Sequence, residues 1–211
     1  MKLLELFSGT CSIGRVFREN GWTVLSVDLE RKFEPDICCD VLALTPEMIG
    51  TRPDLIWASP PCTQYSVARA SAKTPRDLEG SDKLVQKVLD LVDFYGAPFF
   101  MENPMGLLRT RAVVEGIPMH VIDDCKYNDG DHPHKARKRT CIWTNTTWSP
   151  ARALCKKDCG FCEGNEHIDH VQFRSKNGRF GHTLEHFYAI PKALPQELCE
   201  ASARILDEWR G

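Results

Sequence analysis

The sequence predicts an α/β protein built on a doubly wound, mostly parallel sheet with one small insertion. Two observations carry this. Short apolar runs that read as buried strands alternate with amphipathic helical stretches, the rhythm of βαβ units. The residues that follow those runs are small, acidic or thiol-bearing: Phe7-Ser8-Gly9, Asp28, Asp40, Ser59-Pro60-Pro61-Cys62 and Glu102-Asn103. Open α/β sheets hold their ligands outside the carboxyl ends of the strands.

Taken in order, residues 2–7 form the first strand and end in a small-residue turn, Ser8-Gly9-Thr10-Cys11. A helix follows from about Ser12 to Asn20, with Gly21 as its stop. Thr23–Val27 is the second strand, with Asp28 at its tip, and a short third strand ends near Asp40. Asp54–Ala58 is the fourth, closed by a Pro-Pro turn that fixes the backbone before Cys62. Residues 67–80 are irregular and polar and read as a mobile loop. Ser81 is the expected cap of a helix over Asp82–Tyr95, whose apolar positions make a wide buried face. Pro98–Met101 is the fifth strand, with Glu102 just past its end. Met119–Ile122 and Thr140–Trp143 are later strands, and Pro195–Trp209 is a closing amphipathic helix. Residues 146–182 break the rhythm. They are read as an insertion, leaving residues 1–145 and 183–211 as one cofactor-binding, catalytic domain.

The chain has 211 residues, enough for one domain. A net charge of −2 means that any nucleic-acid surface must be a local basic patch. The N-terminal apolar run is cut by Glu5 and is too short for a signal peptide, and no run reaches membrane-spanning length. Ten cysteines without a secretion signal fit a reduced cytoplasmic protein better than a disulfide scaffold.

Four features bear chemistry. The glycine- and serine-rich first turn and Asp28 suit an adenosine-containing cofactor: small residues let the backbone approach it, and the acid can accept ribose hydroxyls. Cys62 and Glu102 end neighbouring strands, where a thiol nucleophile and a proton-donating acid can share one cleft. The run Arg137-Lys138-Arg139 can hold a phosphate and help depress a thiol pKa. Cys155-x3-Cys159-x2-Cys162-x4-His167 has zinc-ligand spacing, with His170 as a substitute fourth ligand. Lys156, Lys157, Arg174, Lys176 and Arg179 around it make a surface for DNA phosphates.

Together these residues resemble the cytosine-C5 DNA methyltransferase family. Leu6-Phe7-Ser8-Gly9 with Gly14 is similar to its S-adenosylmethionine loop, and Ser59-Pro60-Pro61-Cys62, followed by Ser66, to its Pro-Cys nucleophile motif. Phe100-Met101-Glu102-Asn103 resembles Glu-Asn-Val, Lys135-Ala136-Arg137-Lys138-Arg139 resembles Gln-x-Arg-x-Arg, and Tyr188-Ala189-Ile190-Pro191 resembles Asn-Ala-Val-Pro. Thr63, Pro104, Lys135 and Tyr188 depart from those patterns.

The resemblance implies a Rossmann-like class I methyltransferase fold. It also implies methyl transfer from S-adenosylmethionine to C5 of cytosine in DNA, with S-adenosylhomocysteine as product. Cys62 would add to C6 of a flipped base, Glu102 would act at N3, and Arg137 and Arg139 would position the nucleotide. The implied cofactor residues are Phe7, Ser8, Gly9, Thr10, Cys11, Ser12, Asp28, Leu29, Asp40, Val41, Pro60, Ala189 and Ile190. Structural Zn2+ on Cys155, Cys159, Cys162 and His167 would order the 146–182 insertion as a small target-recognition element. The protein is expected to act as a monomer on DNA, away from membranes, in the cytoplasm (the host's, if virally encoded). Three alternatives stand beside this: a variant cofactor or RNA substrate, amino-group methylation, and an inactive zinc-stabilised DNA-binding protein. Amino-group enzymes place an aromatic residue where this chain has Cys62.

Overall fold

Seven strands form one sheet in the order β3-β2-β1-β4-β5-β7-β6 in a computed structural model that describes residues 1–133, 135–169, 186 and 188–210. The strands are β1 (Lys2–Leu6), β2 (Thr23–Asp28), β3 (Ile37–Cys38), β4 (Leu55–Ala58), β5 (Phe99–Pro104), β6 (Met119–Asp123) and β7 (Arg139–Thr144). β7 alone runs against its neighbours: the pairs among β1 to β5 are parallel, whereas β5–β7 and β6–β7 are antiparallel. The strand order reverses between β1 and β4, so the crevice of the sheet opens beside Phe7 and Ser59.

Both faces of the sheet are covered, which is why its strands read as continuous apolar runs. Along β1 and β4 successive side chains serve opposite cores. Leu4, Leu6, Ile56 and Ala58 pack with Val85, Val88 and Leu91 of α3 (Leu78–Tyr95). Leu3, Leu55 and Trp57 pack with Ile13 and Phe17 of α1 (Ser12–Glu19) and Leu194, Leu198 and Ile205 of the C-terminal helix. A short α2 spans Pro46–Ile49, and the C-terminal helix, α4, spans Ala193–Arg210. No helix among the described residues is long and apolar enough to cross a membrane.

Several boundaries differ from the sequence reading, each for a local reason. Helix α3 begins at Leu78 because the Asp77 side chain caps it, accepting the Gly80 N–H at 2.8 Å. Ser81 instead donates its hydroxyl back to the Asp77 carbonyl, inside the first turn. Within the expected loop, Val67–Ser71 is a 3-10 turn capped by Ser66. Trp148, at the start of the expected insertion, belongs to the main core and packs edge-on against Phe100. A two-stranded hairpin follows, β8 (Cys162–Glu163) with β9 (Glu166–His167). The remainder of the expected insertion, with His170, Arg174, Lys176 and Arg179, lies outside the described residues.

One buried acid ties the first strand to the first helix. Glu5 accepts the Gly14 N–H at 3.1 Å, and a side-chain carbon on Gly14 would lie 2.2 Å from the Glu5 carboxylate, so glycine is required there. Burial pushes the Glu5 pKa from 4.5 to about 7, against the lowering effect of the Gly14 N–H. A carboxyl raised in the fold contributes its full stability below its unfolded value and loses it as pH climbs through the folded one. Glu5→Gln is neutral throughout. Relative to wild type it should gain about 3 kcal/mol between pH 4 and pH 8, measured by urea unfolding at both.

Candidate active site

The first turn is a bent cradle. Phe7, Gly9 and Cys11 all take left-handed backbone conformations (φ 57, 46 and 54°), and only one of them is glycine. Strained turns of this kind persist where surrounding bonds hold them. Here Ser8 N–H donates to Val27 O (3.1 Å) and Gly9 N–H to Asp28 Oδ2 (2.8 Å). Asp28 Oδ1 accepts the Glu30 N–H at 2.8 Å, so this acid first serves to lock the tips of β1 and β2 together. Ser8 Oγ is buried with no hydrogen-bond partner among the described residues. The C-terminal segment closes the same cradle: Ile190 N–H donates to Ser12 Oγ (3.3 Å), which also bonds Thr10 Oγ1 (2.8 Å). Ala189 O bonds His132 Nε2 at 3.1 Å.

Of the other expected cofactor residues, Leu29 is exposed at the rim. Asp40 caps the turn Val41–Ala43 by accepting the Leu42 N–H. The Val41 side chain lies in the core, so only its backbone remains available to a ligand. A left-handed small-residue turn, an unpartnered buried hydroxyl and an apolar rim fit an adenosine-bearing ligand such as S-adenosylmethionine.

The second half of the site starts at the Pro-Pro turn. Ser59 N–H donates to Leu6 O, and Asn103 Nδ2 donates to Pro60 O at 2.8 Å, fixing this turn between β1 and β5. Cys62 O accepts the N–H groups of Tyr65 and Ser66, which turns the chain sharply after the thiol. Tyr65 is buried and donates to Asp82, itself clamped by Arg111. A side chain on Gly106 would meet the Tyr65 carbonyl at 2.5 Å, so glycine lets the post-β5 chain close over this turn.

β4 stops pairing at Ala58↔Met101, whereas β7 holds β5 as far as Pro104. Glu102 therefore clears the end of β4 while still anchored opposite Ile142. It is buried, and its Oε1 faces Lys138 Nζ at 3.8 Å. Lys138 also faces Asp124 Oδ2 at 3.5 Å. Burial pushes Glu102 above the usual carboxylate range; Lys138 opposes that shift and Asp124 adds to it. Burial works against the Lys138 charge, yet Asp124 and Glu102 outweigh it and hold its pKa above the ordinary lysine value.

The basic run does not act as the sequence suggests. Lys138, the residue before β7, is buried, and its carbonyl accepts the Asp124 N–H at 2.9 Å. Arg137 is exposed, and Arg139 makes a two-pronged pair with buried Asp123 at 2.8 and 3.0 Å. The expectation of a depressed thiol is corrected: burial pushes Cys62 up and Glu102 adds to that, outweighing the lowering by the Lys138 charge and by a backbone hydrogen bond at Cys62 itself. Asp124 was missed, and Lys138 was read only as one member of the basic run, because their pairing depends on how the chain before β7 packs against the turn after β6.

The metal-ligand reading also changes. The ligand atoms of Cys125, Cys155, Cys159 and His167 lie within 4.8 Å of one another. Cys162 is not in this group: it is the direct β8–β9 partner of His167, and Cys125 takes the fourth place from 30 residues before Cys155.

No family model matches the sequence. A DNA modification methyltransferase candidate encoded within an E. coli prophage superposes with a TM-score of 0.51 at 19% identity, over 68% of this chain and 46% of that one. The Entamoeba histolytica methyltransferase EhMeth superposes at 0.51 with 14% identity, over 73% of this chain and 56% of that one. The aligned part spans about half of each of these solved chains. The fold is thus of the methyltransferase class. A protein of frog virus 3 (isolate Goorha) named as a probable DNA (cytosine-5)-methyltransferase is 30% identical over 220 residues, covering 95% of this chain and 99% of that protein. The chain belongs to the DNA (cytosine-5)-methyltransferase family.

Lys138 is the one cation that draws Cys62 toward thiolate. Lys138→Met should slow iodoacetamide labelling of Cys62 at pH 8, because losing the ammonium raises the thiol pKa further and leaves less thiolate. Lys138→Arg should retain the wild-type rate. Peptide mapping isolates Cys62 from the other cysteines, and equal or faster labelling of Lys138→Met would contradict the assignment.

Proposed function

We propose that the protein is an S-adenosylmethionine-dependent DNA (cytosine-5)-methyltransferase that works through a covalent Cys62 adduct. The single observation that carries this is the meeting of Cys62, the buried Glu102 carboxyl and the Lys138 ammonium at the crevice beside the first turn. The bound cofactor supplies an electrophilic methyl group on a sulfonium centre. Phe7 to Ser12, Asp28 and Ala189-Ile190 frame its place, Leu29 offers an apolar surface to a purine, and Pro60 joins the two halves of the site.

Cytosine C5 is a weak nucleophile and lies inside the base stack, so the base must be flipped out. The Cys62 thiol passes its proton to solvent and its sulfur bonds to C6, displacing the C5–C6 π electrons towards C5, with Lys138 stabilising the developing negative charge. Glu102, whose pKa is raised by burial, delivers a proton to N3. The electrons of the C5–C6 bond can then take the methyl group at C5. Water takes the C5 proton, the electrons of that bond re-form C5–C6 and expel the Cys62 thiolate, which regains a proton from solvent, and the N3 proton returns to Glu102. Arg137, exposed beside the site, is placed to meet a phosphate of the flipped nucleotide. Arg139 contributes by anchoring β7 through Asp123.

Residues 1–145 and 183–211 form the catalytic unit in this reading, and 146–182 meet the DNA. Zn2+ is the structural ion that the Cys/His group would hold. The enzyme acts as a monomer in the cytoplasm, the host's in a viral setting.

Mass spectrometry of nucleosides from DNA incubated with enzyme and S-adenosylmethionine should show 5-methylcytosine. Cys62→Ala should abolish it while cofactor binding survives. Glu102→Gln should lower the rate by about 10²–10⁴-fold, the range for a lost general acid. Methylation on N4, or product from Cys62→Ala, would overturn the reading.

A further inference from the structure

The Cys/His group does more than decorate the insertion. Cys155 Sγ and Cys159 Sγ lie 3.5 and 3.4 Å from His167 Nε2. Tetrahedral zinc with ordinary Zn–S and Zn–N bonds separates sulfur and nitrogen ligands by about 3.5 Å. Cys125 and Cys155 are both buried, so the fourth corner is already dehydrated. Lys157 takes a left-handed conformation (φ 69°) that turns its N–H onto Cys155 Sγ at 3.2 Å. N–H bonds of this kind hold a thiolate ligand in place.

The four ligands come from two parts of the fold. Cys155, Cys159 and His167 belong to the insertion, whereas Cys125 lies in the turn Asp124–Lys126 that follows β6. Two further contacts close the same seam: Cys155 N–H donates to Asp123 Oδ2 at 3.0 Å, and Lys126 pairs with Asp158 at 3.2 Å. Residues 123–126 thus face the insertion through Asp123, Cys125 and Lys126, and face the active site through Asp124 on Lys138.

We propose that Cys125, Cys155, Cys159 and His167 form a closed four-coordinate Zn2+ site that fastens the insertion to the turn after β6 and thereby holds Asp124, and through it Lys138, in place beside Glu102 and Cys62. The catalytic half of this statement rests on the function proposed above; the metal half does not. Three insertion ligands alone leave an open corner, and Cys125 closes it from the catalytic domain. Metal loss or thiol oxidation at the seam would then act on the active site itself, with Lys138 as the positioning residue.

The test uses the full chain and reads metal content, cobalt spectrum and Cys62 labelling, none of which needs methylation. Wild type and Cys162→Ser should each carry one Zn2+ per chain. Cys125→Ser and Cys155→Ser should lose it. Co2+ substitution of wild type should give the visible d–d bands of a tetrahedral thiolate site, weakened in Cys125→Ser and unchanged in Cys162→Ser. Because a ligand variant can fail to fold, the second arm chelates wild type and restores Zn2+. Chelation should lower the melting temperature and change the Cys62 labelling rate at fixed pH by severalfold, and Zn2+ should reverse both. A bound ion that survives Cys125→Ser but not Cys162→Ser would overturn the ligand set. Ion loss with unchanged Cys62 labelling would overturn the link to the active site. Absence of methylation with the ligand results intact would count against the proposed function and leave the metal site standing.

Discussion

The site depends on one buried ammonium between two buried carboxyls. Lys138 stands 3.8 Å from Glu102 and 3.5 Å from Asp124, with all three side chains nearly out of water. A cation in such a place is costly to dehydrate and stays charged only because its partners surround it. The converse holds for the acids: two carboxyls sharing one cation, in an environment that disfavours charge, are both pushed upward. Removing the lysine would leave uncompensated buried acid, so the triad constrains β5, β7 and the turn after β6 together. The antiparallel β5–β7 pairing supplies the register, since it carries β5 past the end of β4 and lets Glu102 project toward the Pro-Pro turn.

The remaining parts of the site are fastened to this frame by backbone bonds rather than by long side chains. Asn103 holds Pro60, Leu6 holds Ser59, and Asp28 joins the tips of β1 and β2. The first turn and the Pro-Pro turn are thus each held by hydrogen bonds within the protein, and in the proposed function they would need little rearrangement to receive their ligands. Preorganisation of that kind is what lets a modest thiol act, because its surroundings need not rearrange as charge develops. Burial and the neighbouring Glu102 carboxyl both push the Cys62 pKa up, and Lys138 draws it down.

Much of the fold was legible in the sequence because parallel strands buried on both faces are short apolar runs. Ser59-Pro60-Pro61-Cys62 and Glu102-Asn103 stood out because they follow such runs. Register was not legible. Nothing in Arg137-Lys138-Arg139 says which residue faces inward until the run is laid beside the turn after β6, where Arg139 pairs with Asp123 and Lys138 with Asp124. The α3 start was misplaced because Asp77 and Ser81 are both good caps, and only the backbone geometry chooses between them. Cys125 was invisible as a ligand because metal spacing is read locally, whereas β6 brings its turn to the insertion through the fold.

The central claim is that Cys62 forms a covalent bond to the base during methyl transfer. Duplex DNA carrying 5-fluorocytosine tests it most directly, since fluorine at C5 leaves no proton to lose and the adduct cannot resolve. Intact mass spectrometry with S-adenosylmethionine should show one protein–DNA adduct carrying the methyl group, and peptide mapping should place it on Cys62. Turnover on ordinary DNA without a trapped adduct, or an adduct on another cysteine, would contradict the account.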